Sequence, residues 1–240
     1  MAIAHRVTSS NAGNPTTEFT IGLAVSIVAD DILILSISNA GSELDPFVTD
    51  DDTEGNLWAS LWSQANGSES GSVWWKRATS GTAGKTITVS SAVDSCSGTC
   101  SAYSGCITTG NPFENAASEA NASADEAMAG ITPTVDGTMV CLCVMIGSNV
   151  NITSEACTDP GALTQRGEVG STGGGGARTM HASALQTTAA ATGNFTWAMN
   201  NTTCVSFAFD LIPPAVAGGQ PFHLRDERTI PAFAVNPFQR

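Results

Sequence analysis

Histidine, cysteine and carboxylate side chains are the groups through which this chain could do chemistry. Its histidines stand at positions 5, 181 and 223, and catalysis needs such groups next to a nucleophile or an acid. His5 and His223 fall in predicted terminal arms, while His181 falls on a predicted strand with no motif around it. The sequence has no G-x-S-x-G elbow, and the glycines at 173–176 precede Ala-Arg rather than the Lys-Ser/Thr of a P-loop. We therefore expect no enzyme.

The metal-binding residue types also lack the spacing of a metal site. The seven cysteines are an odd number without the paired spacing of zinc ribbons. Cys141 and Cys143 alternate along a predicted strand, so both should point to one face as small buried apolar groups. The acidic loop 50–56 holds four carboxylates, but no glutamate stands at the twelfth position that an EF-hand needs. We expect a solvated loop, no metal and no cofactor.

Charge excludes several classes of partner. The net charge is −13, from 22 acidic and 9 basic residues. Such a surface repels phosphate backbones, so we expect no nucleic-acid binding. The sequence has no apolar run long enough to span a bilayer and no basic amphipathic helix, so we expect no membrane contact. The first six residues contain no signal-peptide core, which favours assembly in a cytoplasm.

The strand pattern predicts an all-β protein whose sequence reads nearly twice. Acidic residues open the apolar run 31–38, and a similar run follows at 136–146. Turn-bounded strands recur about every 8–12 residues, as in a sandwich or barrel. We predict a jelly-roll-like β-sandwich built from two diverged repeats, 17–106 and 131–212, joined by a seam at 107–130. One pseudo-symmetric sandwich is favoured over two, because each half alone looks short of apolar residues.

Within this sandwich, residues 32–37 form an apolar run that predicts a central strand covered on both faces. Trp58 and Trp62 are an even number of positions apart, so they should lie on the same face of a strand. Trp74 and Trp75 point to opposite faces, so we take them as candidate surface aromatics. The four tryptophans could form a sugar-stacking platform, but core packing is the favoured interpretation.

Extended arms are predicted at both ends, an N-terminal arm at 1–16 and a C-terminal linker and arm at 213–240. Prolines 213 and 214 stop the last strand, and the arm beyond them is rich in aromatic and basic residues. A solvated spacer would avoid aromatic residues, so we interpret the arm as a peptide that docks, on its own molecule or on a neighbour, by strand addition and aromatic anchors. The candidate partner-binding residues are Phe222, Arg225, Arg228, Ile230, Phe233, Phe238 and Arg240.

Three stretches resemble a family of β-sandwich virion proteins from tailed bacteriophages. Residues 17–21 and 29–35 are similar to an opening strand followed by a "GDLLIL" turn and strand, with Asp30 in place of the usual glycine. Residues 101–113 contain Ala-Tyr-Ser-Gly and Asn-Pro-Phe, similar to the family's "A-x-Y-x-G" strand end and the "N-P-F" that follows it. Residues 225–232 resemble the "ERTI-x-V-P-A" tail of many phage structural proteins. In the second half, Phe-Ala-Phe at 207–209 replaces the Tyr-x-Gly element.

The resemblance implies a structural protein of the virion. The first expectation is a capsid decoration (cement) protein that binds across major capsid protein subunits, as a homotrimer with arms that reach its neighbours. An alternative is a tail or tail-fibre component, including a receptor-binding adhesin, whose partners would be tail proteins. A third is a carbohydrate-binding module, which would need an export route.

Overall fold

The computed structural model describes residues 2–13, 18–41, 46–54, 57–67, 69–90, 95–121, 125–171, 176–200 and 203–215. Sixteen β-strands and no helix lie in this part of the chain, so the predicted all-β class is confirmed. The strands are β1 (Ala4–Gly13), β2 (Glu18–Gly22), β3 (Ile32–Asn39), β4 (Phe47–Asp50), β5 (Ala59–Asn66), β6 (Glu69–Arg77), β7 (Thr86–Ser90), β8 (Cys96–Ser104), β9 (Phe113–Asn121), β10 (Asp125–Met128), β11 (Thr138–Ile146), β12 (Thr153–Ala156), β13 (Thr164–Gly170), β14 (Arg178–Gln186), β15 (Phe195–Ala198) and β16 (Cys204–Leu211).

The first eight strands and the last eight have the same topology. In the first half, β1–β8, a five-stranded sheet has the order β1-β8-β3-β6-β5 and a three-stranded sheet has the order β2-β7-β4. In the second half, β9–β16, the orders are β9-β16-β11-β14-β13 and β10-β15-β12, the same with each strand number raised by eight. All of these pairings are antiparallel. The topology does not test whether the two sequences derive from one duplicated unit, which stays a prediction.

Three hydrophobic cores lie between four stacked layers. The first fills the space between the two sheets of the first half, and the second does the same in the second half. The third lies between the two five-stranded sheets. In β3, Leu33 and Leu35 point into the first core while Ile32 and Ile34 point into the third. The prediction of a central, doubly covered strand is therefore confirmed, and β11 is buried in the same way.

The two five-stranded sheets stack in a symmetric way. β3 lies over β11, β1 over β13, and β5 over β9. When each strand is exchanged for its counterpart in the other half, such as β3 for β11 or β1 for β9, the same pairs of strands remain in contact. That is the pattern of an approximate two-fold axis between β3 and β11, as in an isologous dimer interface. Ser38 Oγ lies 3.1 Å from the carbonyl oxygen of Ile146, so the far ends of β3 and β11 meet.

Three sequence expectations about organisation are wrong. Residues 4–13, expected in a free arm, form β1 and pair with β8; this strand is polar because it lies at a sheet edge. The seam at 107–130, expected only to join the two repeats, contains β9 and β10, whose Ala- and Glu-rich sequences resemble weak helix more than strand. Two stacked sandwich units replace the single sandwich, because each half gains the apolar area it lacks by packing on the other.

Both described ends of the chain emerge at the same end of the stack. β1 begins where β8 ends, with Ala4 opposite Ser104. β16 ends beside the segment that precedes β9, and the Ile212 amide donates to Pro112 at 2.9 Å. Asp30, in the turn before β3, has φ of 68°, a left-handed conformation that a glycine at this position would adopt readily.

Candidate functional site

The predicted partner-binding residues of the C-terminal arm, 222–240, lie outside the described residues. The candidate surface aromatics are both half-buried. Trp74 packs against the first core, and its indole N–H donates to Ser72 Oγ at 3.1 Å. Trp75 packs against the third core, with its ring edge-on to Phe113 at a centroid distance of 5.3 Å. They point to opposite faces, as predicted, and each face is part of an inter-layer core.

Trp58 and Trp62 do not share a face, contrary to the sequence prediction. A β-bulge between Ser60 and Trp62 adds one residue to β5, which reverses the side to which later residues point. Trp58 therefore enters the first core, and Trp62 enters the third and stacks on Phe207 at 5.2 Å. The tryptophans are divided between two cores and do not form one platform.

The acidic loop is the site of a buried ion-pair network. Lys76 Nζ is fully buried and donates to both oxygens of Asp50, at 3.0 and 2.8 Å, and to Asp52 Oδ2 at 3.0 Å. Trp58 Nε1 donates to Asp50 Oδ2 at 2.8 Å, and Thr82 Oγ1 donates to Asp52 Oδ2 at 2.6 Å. The expectation of a solvated loop is therefore wrong for these two aspartates, whose counter-ion comes from β6.

Hydrogen bonds to Asp52 keep its carboxyl group ionised within this network. Burial raises the pKa of the Asp52 carboxyl, but hydrogen bonds from Thr82 and Lys76 outweigh burial and hold the pKa below its usual range. The carboxylate is thus ionised and fully paired. No cluster of three or more His, Cys, Asp or Glu side chains suited to a metal occurs in the described part of the chain. The arrangement ties β4 and its loop to β6.

A second polar cluster lies between the halves and joins residues far apart in sequence. The Tyr103 hydroxyl and His181 Nε2 are 3.0 Å apart, and both side chains are fully buried. The His5 ring meets Tyr103 edge-on at 5.6 Å, and His5 Nε2 lies 2.8 Å from Thr8 Oγ1. Thr8 is in turn 2.9 Å from Ser101 Oγ. Sequence analysis missed this cluster; its one signal was that Tyr103 is the single tyrosine of the chain.

The His181 ring is neutral at ordinary pH. Burial lowers its pKa to about 3, and the nearby His5 and Arg166 add to the shift. Arg166 is held by Ser183, to which its Nε donates at 2.8 Å. A neutral imidazole buried against a phenol, without solvent contact, joins two packed sheets. We call these groups of β1, β8, β13 and β14 the polar side of the interface.

The opposite side of the interface, formed by β5, β6, β9 and β16, is aromatic. The rings of Phe207 and Phe209 lie 5.5 Å apart, and Phe113 meets Phe209 edge-on at the same distance. Trp62 and Trp75 complete this group, which we call the aromatic side. Aromatic pairs of this kind stabilise by burial and by ring geometry rather than by hydrogen bonds.

One buried acid lies at the far end of the third core. Glu69 is fully buried, its Oε1 lies 2.8 Å from Ser38 Oγ, and Ser38 Oγ also lies 3.1 Å from Ile146 O. Ser38 Oγ donates to Glu69 Oε1, and because it has one hydroxyl hydrogen it shares that hydrogen between Glu69 and the Ile146 carbonyl. Burial, the main cause, raises the Glu69 pKa to about 9, although the Ser38 hydrogen bond opposes this shift. The acid is therefore neutral at pH 7.

The seven cysteines are all buried and free. Cys141 and Cys143 point into the third core, so the prediction that they share a face is confirmed. Burial raises the pKa of the Cys143 thiol to about 12 and that of Cys141 well above its usual value. Such thiols are packing groups without nucleophilic character.

Large exposed apolar side chains occur in one half of the described structure. Among the described residues, the exposed large hydrophobic side chains belong to the first half: Val25, Val28, Phe47 and Leu57, with 85, 48, 67 and 88% of their surfaces accessible. A shallow depression in the second half lies beside β12 and β15, and its lining residues carry no titratable group. The first half therefore offers the apolar contacts.

The outer edges of the two three-stranded sheets also differ. Residues 161–163 run along β12, where Ala156 bridges to Ala162 and the Leu163 amide donates to Glu155 O at 2.9 Å. β4 occupies the matching edge in the first half, and among the described residues its backbone pairs with β7 alone. This open edge begins at the exposed Phe47.

No family model, no curated protein and no solved structure matches this chain. In the part of the chain that the structure describes, no helix is long and apolar enough to cross a membrane.

Proposed function

We propose that the protein is a structural component of a bacteriophage virion, a capsid decoration (cement) protein that binds across major capsid protein subunits. One observation carries the proposal. In the described residues, Lys76 pairs with Asp50 and Asp52, and Tyr103 pairs with His181, inside a four-layer β-stack, while the large exposed apolar side chains belong to the first half. A closely packed block whose large exposed apolar side chains lie on one half suits a structural protein that binds other subunits.

The two adhesive elements of the protein are complementary. Exposed apolar residues such as Phe47 and Leu57 supply contact area on the first half. The C-terminal sequence supplies further aromatic and basic groups, among them Phe222, Phe238 and Arg240. Each contact is modest, but a shell binds many copies, and several weak contacts per copy add to a high overall affinity. Self-association as a trimer would place such contacts around the three-fold positions of a shell.

The test is the place and number of the protein in purified particles of the phage that encodes it. Quantitative mass spectrometry should find a copy number comparable with that of the shell protein, and gold-labelled antibody should decorate whole heads. A few copies confined to the tail would contradict decoration and support a tail or fibre component. Absence from the particle would overturn the virion assignment altogether.

A binding experiment tests the contribution of the arm. The full chain, mixed with undecorated heads of that phage, should sediment with them, whereas a chain that ends at Ala215 should remain in the supernatant. The full-length variant Val169→Ala is the matched control, since it alters a half-buried side chain of the second half and leaves both adhesive elements intact. Equal binding by the truncated chain would contradict the role given to the arm.

A further inference from the structure

The open edge of β4 is a site for strand addition, and we propose that its occupant is residues 232–236 of a neighbouring copy of this chain. The inference rests on the proposed function, since it says how copies would be linked. An edge strand presents unpaired N–H and C=O groups that pair readily with another extended segment. The corresponding edge, β12, is already covered by residues 161–163.

The side chains around this edge suit an apolar strand. Val48 points into the first core, while Phe47 is two-thirds exposed. An added strand beside β4 would lie against Phe47 and remove apolar surface from water, which favours its binding.

The C-terminal sequence contains one segment of matching length and pattern. Residues 232–236 read Ala-Phe-Ala-Val-Asn between Pro231 and Pro237. Phe233 and Val235 would point to one face, as alternate residues of a strand do. Proline cannot donate to a ladder, so the two prolines limit the added strand to five residues, and β4 has four.

Charge favours an antiparallel orientation. β4 runs from Phe47 to Asp50, so the start of an antiparallel segment would lie beside the acidic loop that follows β4. Arg228 precedes this segment by four positions and would come close to Asp51 and Glu54, which are exposed. A parallel segment would place Arg228 at the other end of β4, away from these carboxylates.

Hydrogen exchange on the intact protein gives the first test. The β4 amides should exchange about tenfold more slowly, or slower still, in the full chain than in a chain that ends at Ala215, because an added strand occupies their outer edge. The full-length variant Phe233→Asp should exchange like the truncated chain. Phe222→Asp, which changes another aromatic of the same arm, should exchange like the unaltered protein. Equal β4 exchange in the full and truncated chains overturns the proposal.

A cross-link identifies the donor of the strand. Thr49→Cys and Ala234→Cys are combined in one chain, which is prepared in light and heavy isotopic forms, mixed and oxidised. The native thiols are buried and will not compete. Peptides that join a light chain to a heavy chain are expected. Cross-links found only within light or within heavy chains would mean that the segment docks on its own molecule, and would overturn the proposal.

Self-association of the purified protein separates this inference from the proposed function. In sedimentation experiments, Phe47→Asp should weaken association about tenfold, which corresponds to ~1.4 kcal/mol, while Leu57→Asp, away from the β4 edge, should weaken it less. Copies that associate through β4 but do not bind heads would refute the virion role alone. Binding to heads without any self-association would refute the strand exchange alone.

Discussion

The polar and aromatic sides of the interface between the halves occupy equivalent places about the approximate two-fold axis, yet they hold the halves together by different means. Burial of rings such as Phe207 and Phe209 is non-directional and tolerates small shifts. The contact of Tyr103 with His181 is directional and is satisfied in one register. The aromatic side therefore supplies most of the adhesion, and the polar side fixes the alignment of the sheets.

A cavity on the aromatic side should cause the largest loss of stability. Phe207→Ala removes a buried ring that stacks on Trp62 and Phe209. We expect the free energy of unfolding to fall by about 3–5 kcal/mol in urea titrations. Phe47→Ala, at an exposed position, is the control and should change it little. A loss below ~1 kcal/mol would show that the aromatic side contributes little to adhesion.

Alkaline pH should weaken the interface at Glu69. The pKa of this acid is raised from 4.5 to about 9 in the folded protein, so the folded state binds more protons than the unfolded state between these values. Its contribution is complete below pH 4.5 and is lost as the pH rises through 9, at about 1.4 kcal/mol per unit. Urea titrations at pH 6, 7 and 8 should show this slope, and Glu69→Gln should remove it. An unchanged slope in the variant would contradict the protonated state.

Acidic pH should weaken the polar side. The pKa of His181 is lowered from 6.5 to about 3, so the unfolded state binds more protons between these values. Its contribution is complete above pH 6.5 and decreases as the pH falls toward 3, again by about 1.4 kcal/mol per unit. Urea titrations at pH 6.5, 5.5 and 4.5 should show a shallower slope for His181→Leu than for the unaltered protein. Parallel slopes would mean that another group causes the acid sensitivity.

The smallest loss of stability is expected when the hydrogen bond of the polar side is removed. Tyr103→Phe leaves His181 Nε2 buried without its partner, which should cost about 1–3 kcal/mol. In the double variant Tyr103→Phe, His181→Leu, no polar atom of the pair remains, so the loss should be smaller than the sum of the two single losses. Additive losses would show that the two side chains are not coupled.

Sequence patterns predicted the elements whose signal is local. The apolar run in β3 predicted a strand covered on both faces, and the alternation of Cys141 and Cys143 predicted that both point to the same face. The β5 bulge could not be predicted, because one added residue does not change the composition of the strand. The bulge nevertheless places Trp58 and Trp62 in different cores. β1 and β9 were missed since edge strands need no apolar pattern.

The sites were harder to predict than the strands. Lys76 lies far in sequence from Asp50 and Asp52, and only the fold brings a β6 side chain under the acidic loop. His5 and His181 looked isolated for the same reason, because β1 and β14 meet across two stacked sheets around Tyr103. Polar residues at buried strand positions carry no signal of their partners until the stacking of the sheets is known.

The position of β16 has a mechanical consequence. This strand lies between β11 and β9 and leads directly into the C-terminal segment. Tension applied to that segment along the strand would load two hydrogen-bonded ladders at once, in shear. In the described part of the chain β1 pairs with β8 alone, so the same tension applied along β1 would load a single ladder. A tether at the C-terminus would therefore withstand more force than one at the N-terminus.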